Sequence, residues 1–439
     1  MRAMAVSSPA LDRALGDIVG REHLLSDAAA LEVHAVDGVR PRWVARPSAV
    51  EQISRALALA SAEGLAVAPR GSGSSLSLGN APGRLDLVLD LGRMQRIIEY
   101  VPEDMVGTAE AGLSLGALGA QLAARGQMLA LDPIGGASRS VGGVLACHAS
   151  GPLRVRYGTG RDLLLGVRFV QADGTVTWGG SRVVKSVSGY DVPKLLVGSL
   201  GTLGVIAEAT VRLHPLPPAR GSWVVSTPSH AIAADCLAAL LASTLEPDRL
   251  AVLNAEASKL VGVDGAGAAL LISFGSVAEA VASQGAALER LAKEHRAGAA
   301  PVAAESWAQL APALSGPVKL KLACEPRRLL HWLAELEREA AGGRLTVSAV
   351  GQGGHGVLEA SLTGPLTARG LATRVLAPLR HELGREGGSL VVERAPVELK
   401  AELEPWGPIS PELFAIHGRV KQAFDPTRVL NPGRFAGRL

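Results

Sequence analysis

The chain has 439 residues, of which 48% are hydrophobic and 19% are charged. This composition is too apolar for intrinsic disorder, and the length predicts two or three domains with large buried cores. Lysine and arginine number 44 against 41 aspartates and glutamates, and only 3% of the residues are aromatic. A nucleic-acid-binding protein needs clustered basic residues beside stacking aromatics, so this class is excluded.

The cysteine content and the lengths of the apolar runs indicate the cellular compartment of the protein. Cys147, Cys236 and Cys324 lie far apart and form no CxxC pair, so neither an iron–sulfur cluster nor a zinc site is predicted in this chain. An odd number of dispersed thiols is typical of a reducing compartment. No signal-peptide core and no run of 18 apolar residues is found. We therefore expect a cytoplasmic protein with no membrane span, or one held at the inner face of the membrane by partners.

Helical and strand-like segments alternate in the first half of the chain. Apolar residues keep helical spacing until Gly64, where a glycine C-cap is expected, and later segments alternate like strands. The turn at Asp173-Gly174 predicts a hairpin. The predicted elements are a helix over 50–63, strands over 65–69 and 85–91, a helix over 115–122, and strands over 167–171 and 176–178.

The amino-acid composition of the chain changes after the proline-rich segment 214–218. Long Ala, Leu, Glu and Arg helices then alternate with strands, which predicts an α+β sandwich with helices on one face. We divide the chain into a first domain (1–215), an α+β cap domain (216–395) and a C-terminal segment (396–439) that packs on the first domain. Helices are predicted over 230–243, 277–296, 326–341, 366–384 and 411–424, and strands near 250, 270, 320, 347, 359 and 391.

Glycine clusters mark the candidate binding site. A predicted strand runs into Pro69-Arg70-Gly71-Ser72-Gly73-Ser74-Ser75, whose consecutive small residues can form a nest of backbone N–H groups for phosphate oxygens. A plain strand-exit turn with a solvated arginine would explain this loop equally well by itself. Further clusters rich in Gly, Ser and Thr follow at 132–143, 149–162, 188–191 and 198–206. A large, flat, phosphate-bearing ligand explains all of them together.

The order and spacing of these motifs resemble the FAD-linked oxidases of the vanillyl-alcohol-oxidase type, with their PCMH-type FAD-binding domain. The similarity covers residues 40–215 and 396–435 and is strongest towards the FAD-binding subunits of bacterial glycolate oxidases. The motifs that carry it are Pro-Arg-Gly-x-Gly, Ser-Val-Gly-Gly, Tyr-Gly-x-x-Arg-Asp, Ser-Gly-Tyr-Asp, Gly-Ser-Leu-Gly-Thr-Leu-Gly-Val-Ile, and Asp-Pro-Thr-Arg-Val-Leu-Asn-Pro-Gly at 425–433.

This resemblance implies an α+β fold, in which a two-lobed FAD-binding domain carries a smaller α+β cap domain and a C-terminal segment returns to the flavin. It implies a FAD-dependent oxidoreductase that acts on glycolate or another 2-hydroxy acid, with a second flavin subunit and an iron–sulfur subunit as partners. Two alternatives stay open: a FAD-containing electron-transfer or scaffold subunit without turnover of its own, and a stand-alone flavoenzyme for another alcohol or a sugar.

The resemblance also implies which residues hold the cofactor. Relatives with covalent FAD place a histidine in the first glycine loop, where this chain has only serines, so we expect non-covalent FAD. The implied cofactor-binding residues are Pro69, Arg70, Gly71, Ser72, Gly73, Ser74, Ser75, Gly79, Pro133, Ser140, Gly142, Gly143, Gly151, Tyr157, Asp162, Gly201, Thr202, Gly204, Val205, Ile206 and Asn431.

The substrate site is less clear from the sequence. Removal of a hydride from a 2-hydroxy acid needs a base for the hydroxyl proton and cations for the carboxylate. Hydroxy-acid-oxidising relatives carry paired histidines and acidic metal ligands in loops where this chain has His355, the one catalytic candidate, and the stretch 392–394. No metal is predicted. Lys319, Lys321 and Arg394 could supply positive charge, but on short strands such residues more often face solvent.

A formal GxGxxG at 351–356 imitates a dinucleotide-binding motif. The residues after it alternate like a strand and do not open a helix, and no acidic residue stands about 20 positions further on. We therefore expect a strand-turn-strand segment here and no NAD site.

Overall fold

The computed structural model describes residues 8–181, 191–263 and 267–439. The strands in these residues are β1 (Leu24–Leu25), β2 (Trp43–Ala45), β3 (Val67–Arg70), β4 (Leu87–Asp90), β5 (Ile97–Val101), β6 (Val106–Glu110), β7 (Gln127–Met128), β8 (Leu164–Val170), β9 (Val176–Gly180), β10 (Val205–Arg212), β11 (His214–Pro215), β12 (Ala219–Thr227), β13 (Arg249–Asn254), β14 (Ala268–Ser276), β15 (Gly298–Val302), β16 (Val318–Ala323), β17 (Thr346–Gln352), β18 (Val357–Thr363) and β19 (Ser389–Arg394).

The α-helices in the same residues are α1 (Ser8–Val19), α2 (Ala28–Val33), α3 (Val50–Glu63), α4 (Leu115–Ala123), α5 (Val141–Ala146), α6 (Arg154–Tyr157), α7 (Gly160–Leu163), α8 (Val192–Leu196), α9 (His230–Ala242), α10 (Ala255–Leu260), α11 (Ala278–Glu294), α12 (Leu310–Ala313), α13 (Leu329–Gly342), α14 (Ala368–Gly370), α15 (Ala377–Arg385), α16 (Val397–Lys400) and α17 (Pro411–Phe424). A π-helical segment, Leu371–Leu376, joins α14 to α15. None of the described helices combines the length and hydropathy needed to cross a bilayer.

Two lobes make up the first half of the chain, as the resemblance implies. One lobe has the sheet order β1-β2-β4-β3, in which β2, β4 and β3 run parallel, and the other has the antiparallel order β5-β6-β10-β8-β9. The predicted helix α3 ends at Gly64 in the left-handed conformation, and β3 then leads directly into the first glycine loop. The parallel arrangement therefore delivers that loop to the edge of the sheet.

The C-terminal segment returns to the first lobe and joins its core. Val429 and Leu430 are buried in the same apolar cluster as Val67 of β3. The Val67 N–H donates to the Val429 carbonyl, and the Asn431 N–H donates to the Val67 carbonyl, each at 2.8 Å. The segment extends the sheet edge beside the glycine loop, which confirms this part of the predicted fold.

An eight-stranded antiparallel sheet forms the second half, in the order β15-β12-β14-β13-β17-β18-β16-β19. The helices α9, α11 and α13 pack on one face through a common apolar cluster, as expected. The other face is not left bare, because the short helices α10 and α12 pack on it through a second cluster. The sequence analysis did not predict β12, β15 or these two helices.

One face of this sheet turns its polar residues towards the first half. In β16 the buried Val318, Leu320 and Leu322 alternate with Lys319 and Lys321. Successive side chains of a strand point to opposite faces, so both lysines lie on the face away from the large helices. The predicted boundaries at 215/216 and 395/396 stay predictions, although this sheet runs from residue 219 to residue 394.

A buried acid links the two halves. The Asp132 carboxylate lies 3.3 Å from Arg249 of β13 and accepts the Leu153 N–H at 2.9 Å. Burial raises the pKa of Asp132 to about 7, although the Arg249 charge and the Leu153 N–H favour the ionised form. Nearby, the Ser150 hydroxyl donates to Gln352 at 3.2 Å. These contacts fix β13 and β17 against the loops that follow the second glycine cluster.

Candidate active site

The first glycine loop is folded tightly against its neighbours. Gly73 has a φ of +78°, and a Cβ there would lie 2.8 Å from the Nε of Arg70. A Cβ on Gly71 would collide with the Ser140 hydroxyl. The Ser140 side chain accepts the N–H groups of Ser72 and Gly143, at 3.4 and 3.3 Å. The first and second predicted loops therefore meet at this serine.

The third glycine loop closes the opposite side. Gly201 has a φ of +66°, and a Cβ there would lie 2.9 Å from the ring of Pro69. The amide Nδ2 of Asn431 donates to the Leu200 carbonyl at 2.7 Å. Three loops and the C-terminal segment, which are far apart in sequence, are therefore brought together at the end of β3.

These loops enclose a cleft of about 740 Å³. Most of the predicted cofactor residues line it: Pro69, Arg70, Gly71, Ser72, Gly73, Ser74, Ser75, Ser140, Gly142, Gly143, Gly201, Gly204, Val205, Ile206 and Asn431. Their assignment to cofactor binding was made from the sequence and stays a prediction, but the fold does bring them to one place.

Other predicted residues lie behind the walls of the cleft. Gly151 abuts Asp132, because a Cβ at this glycine would collide with the Asp132 carbonyl. Tyr157 packs on the ring of His214 with 4.8 Å between centroids. Gly79, with a φ of +92°, packs against the carbonyl of Arg434. These three do not line the cleft.

Hydrogen bonding explains why two further predicted cofactor residues, Asp162 and Thr202, do not line the cleft. Asp162 accepts the N–H and the hydroxyl of Thr159, at 2.7 and 2.9 Å, in a capping box at the start of α7. The Thr202 hydroxyl donates to the Ser199 carbonyl at 2.7 Å. Both side chains stabilise local backbone and do not line the cleft. Residues 188–190 of the Ser-Gly-Tyr-Asp motif lie outside the described residues.

The sequence analysis missed two buried cations that hold the cleft. Arg434 donates to the carbonyl of Leu78 at 2.7 Å and also to that of Leu76, and it lines the cleft itself. Lys421 donates to the carbonyls of Thr202 and Leu430, each at 2.8 Å. Lys421 lies in α17 and Arg434 in the loop after it, and only their placement near the terminal motif could have drawn attention to them.

A second cavity, of about 570 Å³, adjoins the cleft. The two share Ser74, Ser75, Leu78 and Cys147 as lining residues, so they are contiguous. Burial raises the pKa of the Cys147 thiol, which is therefore neutral and not a nucleophile at neutral pH. The charged residues that line this cavity are Arg139, Lys319, Lys321, Glu359, Glu393 and Arg394.

The expectation that Lys319 and Lys321 face solvent is wrong. Their side chains are 13% and 26% exposed. The reason is that β16 is an inner strand between β18 and β19, and this face of the sheet is covered by the glycine loops of the first half. Pro133, a predicted cofactor residue, also lines this second cavity.

Three charges at the cavity wall form a buried ion-pair cluster. The ammonium group of Lys319 lies 2.5 Å from Glu359 and 3.0 Å from Glu393. Burial alone would lower the pKa of Lys319, but the two carboxylates raise it above its ordinary value. Burial alone would likewise raise the pKa of Glu393, but Lys319 and Lys321 hold it below its ordinary value. Lys319 and Glu393 therefore favour their charged forms.

His355 lies apart from this cluster. It occupies the turn between β17 and β18, where its Nδ1 lies 3.4 Å from the Gly353 carbonyl, and it lines neither cavity. Burial and the Arg154 charge lower its pKa. The GxGxxG segment is the hairpin of these two strands, as the sequence predicts, because Gln352 pairs with Val357 across an antiparallel ladder.

Comparison with known proteins identifies this architecture. The family model described as "FAD binding domain" matches residues 41–180, and the model described as "FAD linked oxidases, C-terminal domain" matches residues 406–435. These two stretches supply the glycine loops at 69–75 and 140–143 and the terminal loop with Asn431, which all line the cleft. The chain is a FAD-linked oxidoreductase that carries these two domains.

The relatives of this FAD-linked oxidase include the glycolate oxidase subunit GlcD of Bacillus subtilis, 27% identical over 95% of both chains. An uncharacterized FAD-linked oxidoreductase of Mycobacterium tuberculosis is 27% identical over 96% of this chain and 98% of that protein. The D-2-hydroxyglutarate dehydrogenase of Xanthomonas citri is 32% identical over 50% of this chain and 48% of its own length.

Solved structures share the fold. p-Cresol methylhydroxylase superposes with a TM-score of 0.78 over 98% of this chain and 97% of its own, at 16% identity. An alkyldihydroxyacetonephosphate synthase superposes with a TM-score of 0.75 over 97% of this chain and 85% of its own, at 18% identity. Identities this low establish the shared architecture of the oxidase and nothing about its substrate.

The cleft of this oxidase fits FAD. Asn431 is 4% exposed, yet its Oδ1 has no hydrogen-bond partner among the described residues, and neither has the buried Nε of Arg70. A buried polar atom without a partner costs free energy, so both atoms suit a polar ligand in the cleft. Glycines at 71, 73, 142 and 201 let the walls of the cleft pack closely, because a Cβ at each would clash with a neighbouring protein atom. FAD is the cofactor, and these residues would hold it through backbone and side-chain contacts.

We expect the purified oxidase to be yellow and to release its flavin on acid or heat precipitation. The residues 71–75 contain no histidine that could bond the flavin covalently. Free FAD at 100 times its dissociation constant should also stabilise the folded state by about 2.7 kcal/mol. Flavin absorbance in the supernatant and a thermal melt measure the two effects. Flavin that stays with the precipitate would contradict the prediction.

Proposed function

We propose that this chain oxidises a small 2-hydroxy acid with non-covalently bound FAD, as the FAD-binding subunit of a complex that passes the electrons onward. The observation that carries the proposal is the second cavity, which adjoins the cofactor cleft at Ser74, Ser75 and Cys147 and is lined by four cationic and two acidic side chains. An excess of positive charge in a partly enclosed cavity favours a small organic anion. Relatives named for glycolate and D-2-hydroxyglutarate support the same class of substrate.

The reaction sets the chemistry that the protein has to supply. Oxidation to the 2-oxo acid removes the hydroxyl proton and, from the α-carbon, a hydrogen with two electrons. Bound FAD supplies the acceptor for that hydrogen and its electrons. The protein supplies cations for the carboxylate and a base for the hydroxyl proton. Glu393 lines the cavity, and its lowered pKa keeps it ionised at neutral pH, so it can take this proton.

Electrons then have to leave the chain. Cys147, Cys236 and Cys324 are free thiols. In the described residues, no three His, Cys, Asp or Glu side chains lie close enough together to hold a metal ion. A second flavin subunit and an iron–sulfur subunit are the partners we propose as electron acceptors. One relative is named as a subunit of glycolate oxidase, which supports a complex of several chains.

A second candidate function is a FAD-containing electron-transfer subunit with no substrate turnover of its own. It is favoured by the pairing of both carboxylates in the cavity with Lys319, because a salt-bridged carboxylate is a weak base. Under this alternative the isolated chain binds FAD but no hydroxy acid bleaches it.

Anaerobic stopped-flow absorbance separates the two. We expect glycolate or D-lactate to bleach the flavin band, and the uncharged propane-1,2-diol not to. Replacing Glu393 with Gln should slow bleaching by about 10²- to 10⁴-fold, the usual contribution of a general base. Bleaching by neither acid would favour the electron-transfer subunit. Bleaching by the diol as well as by the acids would favour a stand-alone alcohol oxidoreductase.

A further inference from the structure

The six charged side chains that line the second cavity differ in how many ion pairs and hydrogen bonds they already form. Lys319 is held between Glu359 and Glu393 at 2.5 and 3.0 Å, so one cation already serves both acids. The Nη2 of Arg394 donates to the carbonyls of Leu314 and Gly316, at 2.9 and 2.7 Å. The Nη2 of Arg394 is therefore committed to fixing the chain that follows α12, which makes Arg394 more engaged than Arg139 or Lys321.

Two of the cations, Lys321 and Arg139, have hydrogen-bond donors that could still bind an anion. The ammonium group of Lys321 has one acidic neighbour, Glu393, at 3.9 Å, which is the outer limit of an ion pair. Arg139 is half-buried, and no hydrogen bond or ion pair of its side chain is found among the described residues. Arg139 lines the cavity, and its positive charge lowers the pKa values of Glu393 and Cys147.

These two cations come from different halves of the chain and line the same cavity. Arg139 lies in the second glycine cluster, immediately before Ser140, the N-cap residue of α5. Lys321 lies on β16 of the eight-stranded sheet. Because the acids on the same wall are engaged by Lys319, an anion between Arg139 and Lys321 meets two cations that are only partly compensated. Arginine presents a planar fork that matches a carboxylate, and lysine adds a compact charge.

From this geometry we propose that Arg139 and Lys321 form a clamp for the carboxylate of the acid substrate, one cation from each half of the chain. This inference rests on the proposed function and deepens it, because it assigns the carboxylate-binding residues. The hydroxyl-bearing carbon of a short acid held by this clamp stays within the cavity that Ser74, Ser75 and Cys147 share with the cofactor cleft. The clamp therefore selects small acids over neutral alcohols.

Calorimetric titration of the FAD-loaded protein with glycolate tests the clamp without requiring turnover. Glycolamide has the same size and hydroxyl group but no charge, so it should bind much more weakly. Replacing Arg139 or Lys321 with Met should each weaken glycolate binding about 10- to 100-fold, the worth of a charge-assisted hydrogen bond. Arg139→Lys should lose less, since it keeps the charge. Arg290→Met and Lys293→Met, on the exposed face of α11, are the matched controls and should change nothing.

Each result decides the matter. Equal affinity for glycolate and glycolamide, or unchanged glycolate affinity in both Met variants, would overturn the clamp. A fall in the flavin-to-protein ratio of the variants would also overturn it, because the cations would then serve the cofactor. Tight, Arg139- and Lys321-dependent glycolate binding without flavin bleaching would support the clamp while contradicting the proposed oxidation of this acid.

Discussion

Replacing Gly73 with Val should abolish FAD binding while the second half of the chain stays folded. The residue has a φ of +78°, a conformation that branched side chains avoid, and its Cβ would lie 2.8 Å from the Arg70 guanidinium. The valine would therefore displace both the loop backbone and the arginine that lines the cleft. The ratio of flavin absorbance to protein absorbance after purification measures the loss, which we expect to be complete.

Gly83→Val is the matched control for this variant. Gly83 is exposed, its φ lies outside the left-handed region, and a Cβ there would meet no atom within 4 Å. It lies in the same lobe but does not line the cleft. The control should keep its FAD, and circular dichroism should show native helix content in both variants. Stoichiometric FAD in Gly73→Val would contradict the assignment of this loop to the cofactor.

Replacing Lys421 with Met should lower the free energy of unfolding by about 3 to 5 kcal/mol, the usual cost of breaking a buried ion pair from one side. The Lys421 ammonium lies 2.6 Å from Asp425, which is fully buried. Asp425 accepts the N–H groups of Val429 and Leu430, at 2.9 and 2.8 Å. Without the lysine, the fully buried carboxylate loses its cation. Urea unfolding measures the effect.

FAD affinity should fall in the same variant, because Lys421 also joins the Thr202 carbonyl to the segment that carries Asn431. Arg419→Met, at an exposed position on the same helix α17, is the control and should unfold like the wild type. The double variant Lys421→Met with Asp425→Asn should recover part of the lost stability, since it leaves no uncompensated charge. A loss of less than 1 kcal/mol in the single variant would show that this ion pair does not hold the terminal loop.

Local patterns were sufficient to predict most helices and strands and to locate the glycine loops that line the cleft. The helix α3 with its glycine cap, the strand β3 and the hairpin at 346–363 follow from spacing of two or 3.6 residues and from turn chemistry. The strands β12 and β15 were missed, because β12 follows directly on the proline-rich segment and β15 is an edge strand with a mixed pattern. For such strands, partners in the sheet decide the conformation more than local sequence does.

The glycine loops that line the cleft could be recognised in the sequence because a phosphate-binding nest would need consecutive small residues. A nest needs small residues side by side, so the segment 69–75 and the clusters at 140–143 and 201–206 are visible in the chain itself. Tyr157, Asp162 and Thr202 belong to the same motifs but turn away from the cleft. A sequence motif indicates that its residues act together, but it does not show which of their side chains face the ligand.

The sequence by itself determined the fold family, the cofactor and the position of the glycine loops. Only the tertiary structure brought Arg139 of the second loop to the same cavity as Lys321 of β16 and showed that Glu359 and Glu393 are both paired with Lys319. These residues are separated by up to about 250 positions and follow no common spacing. Whether a charge on a strand faces solvent or a cavity depends on what covers that face of the sheet, and the covering loops come from the other half of the chain.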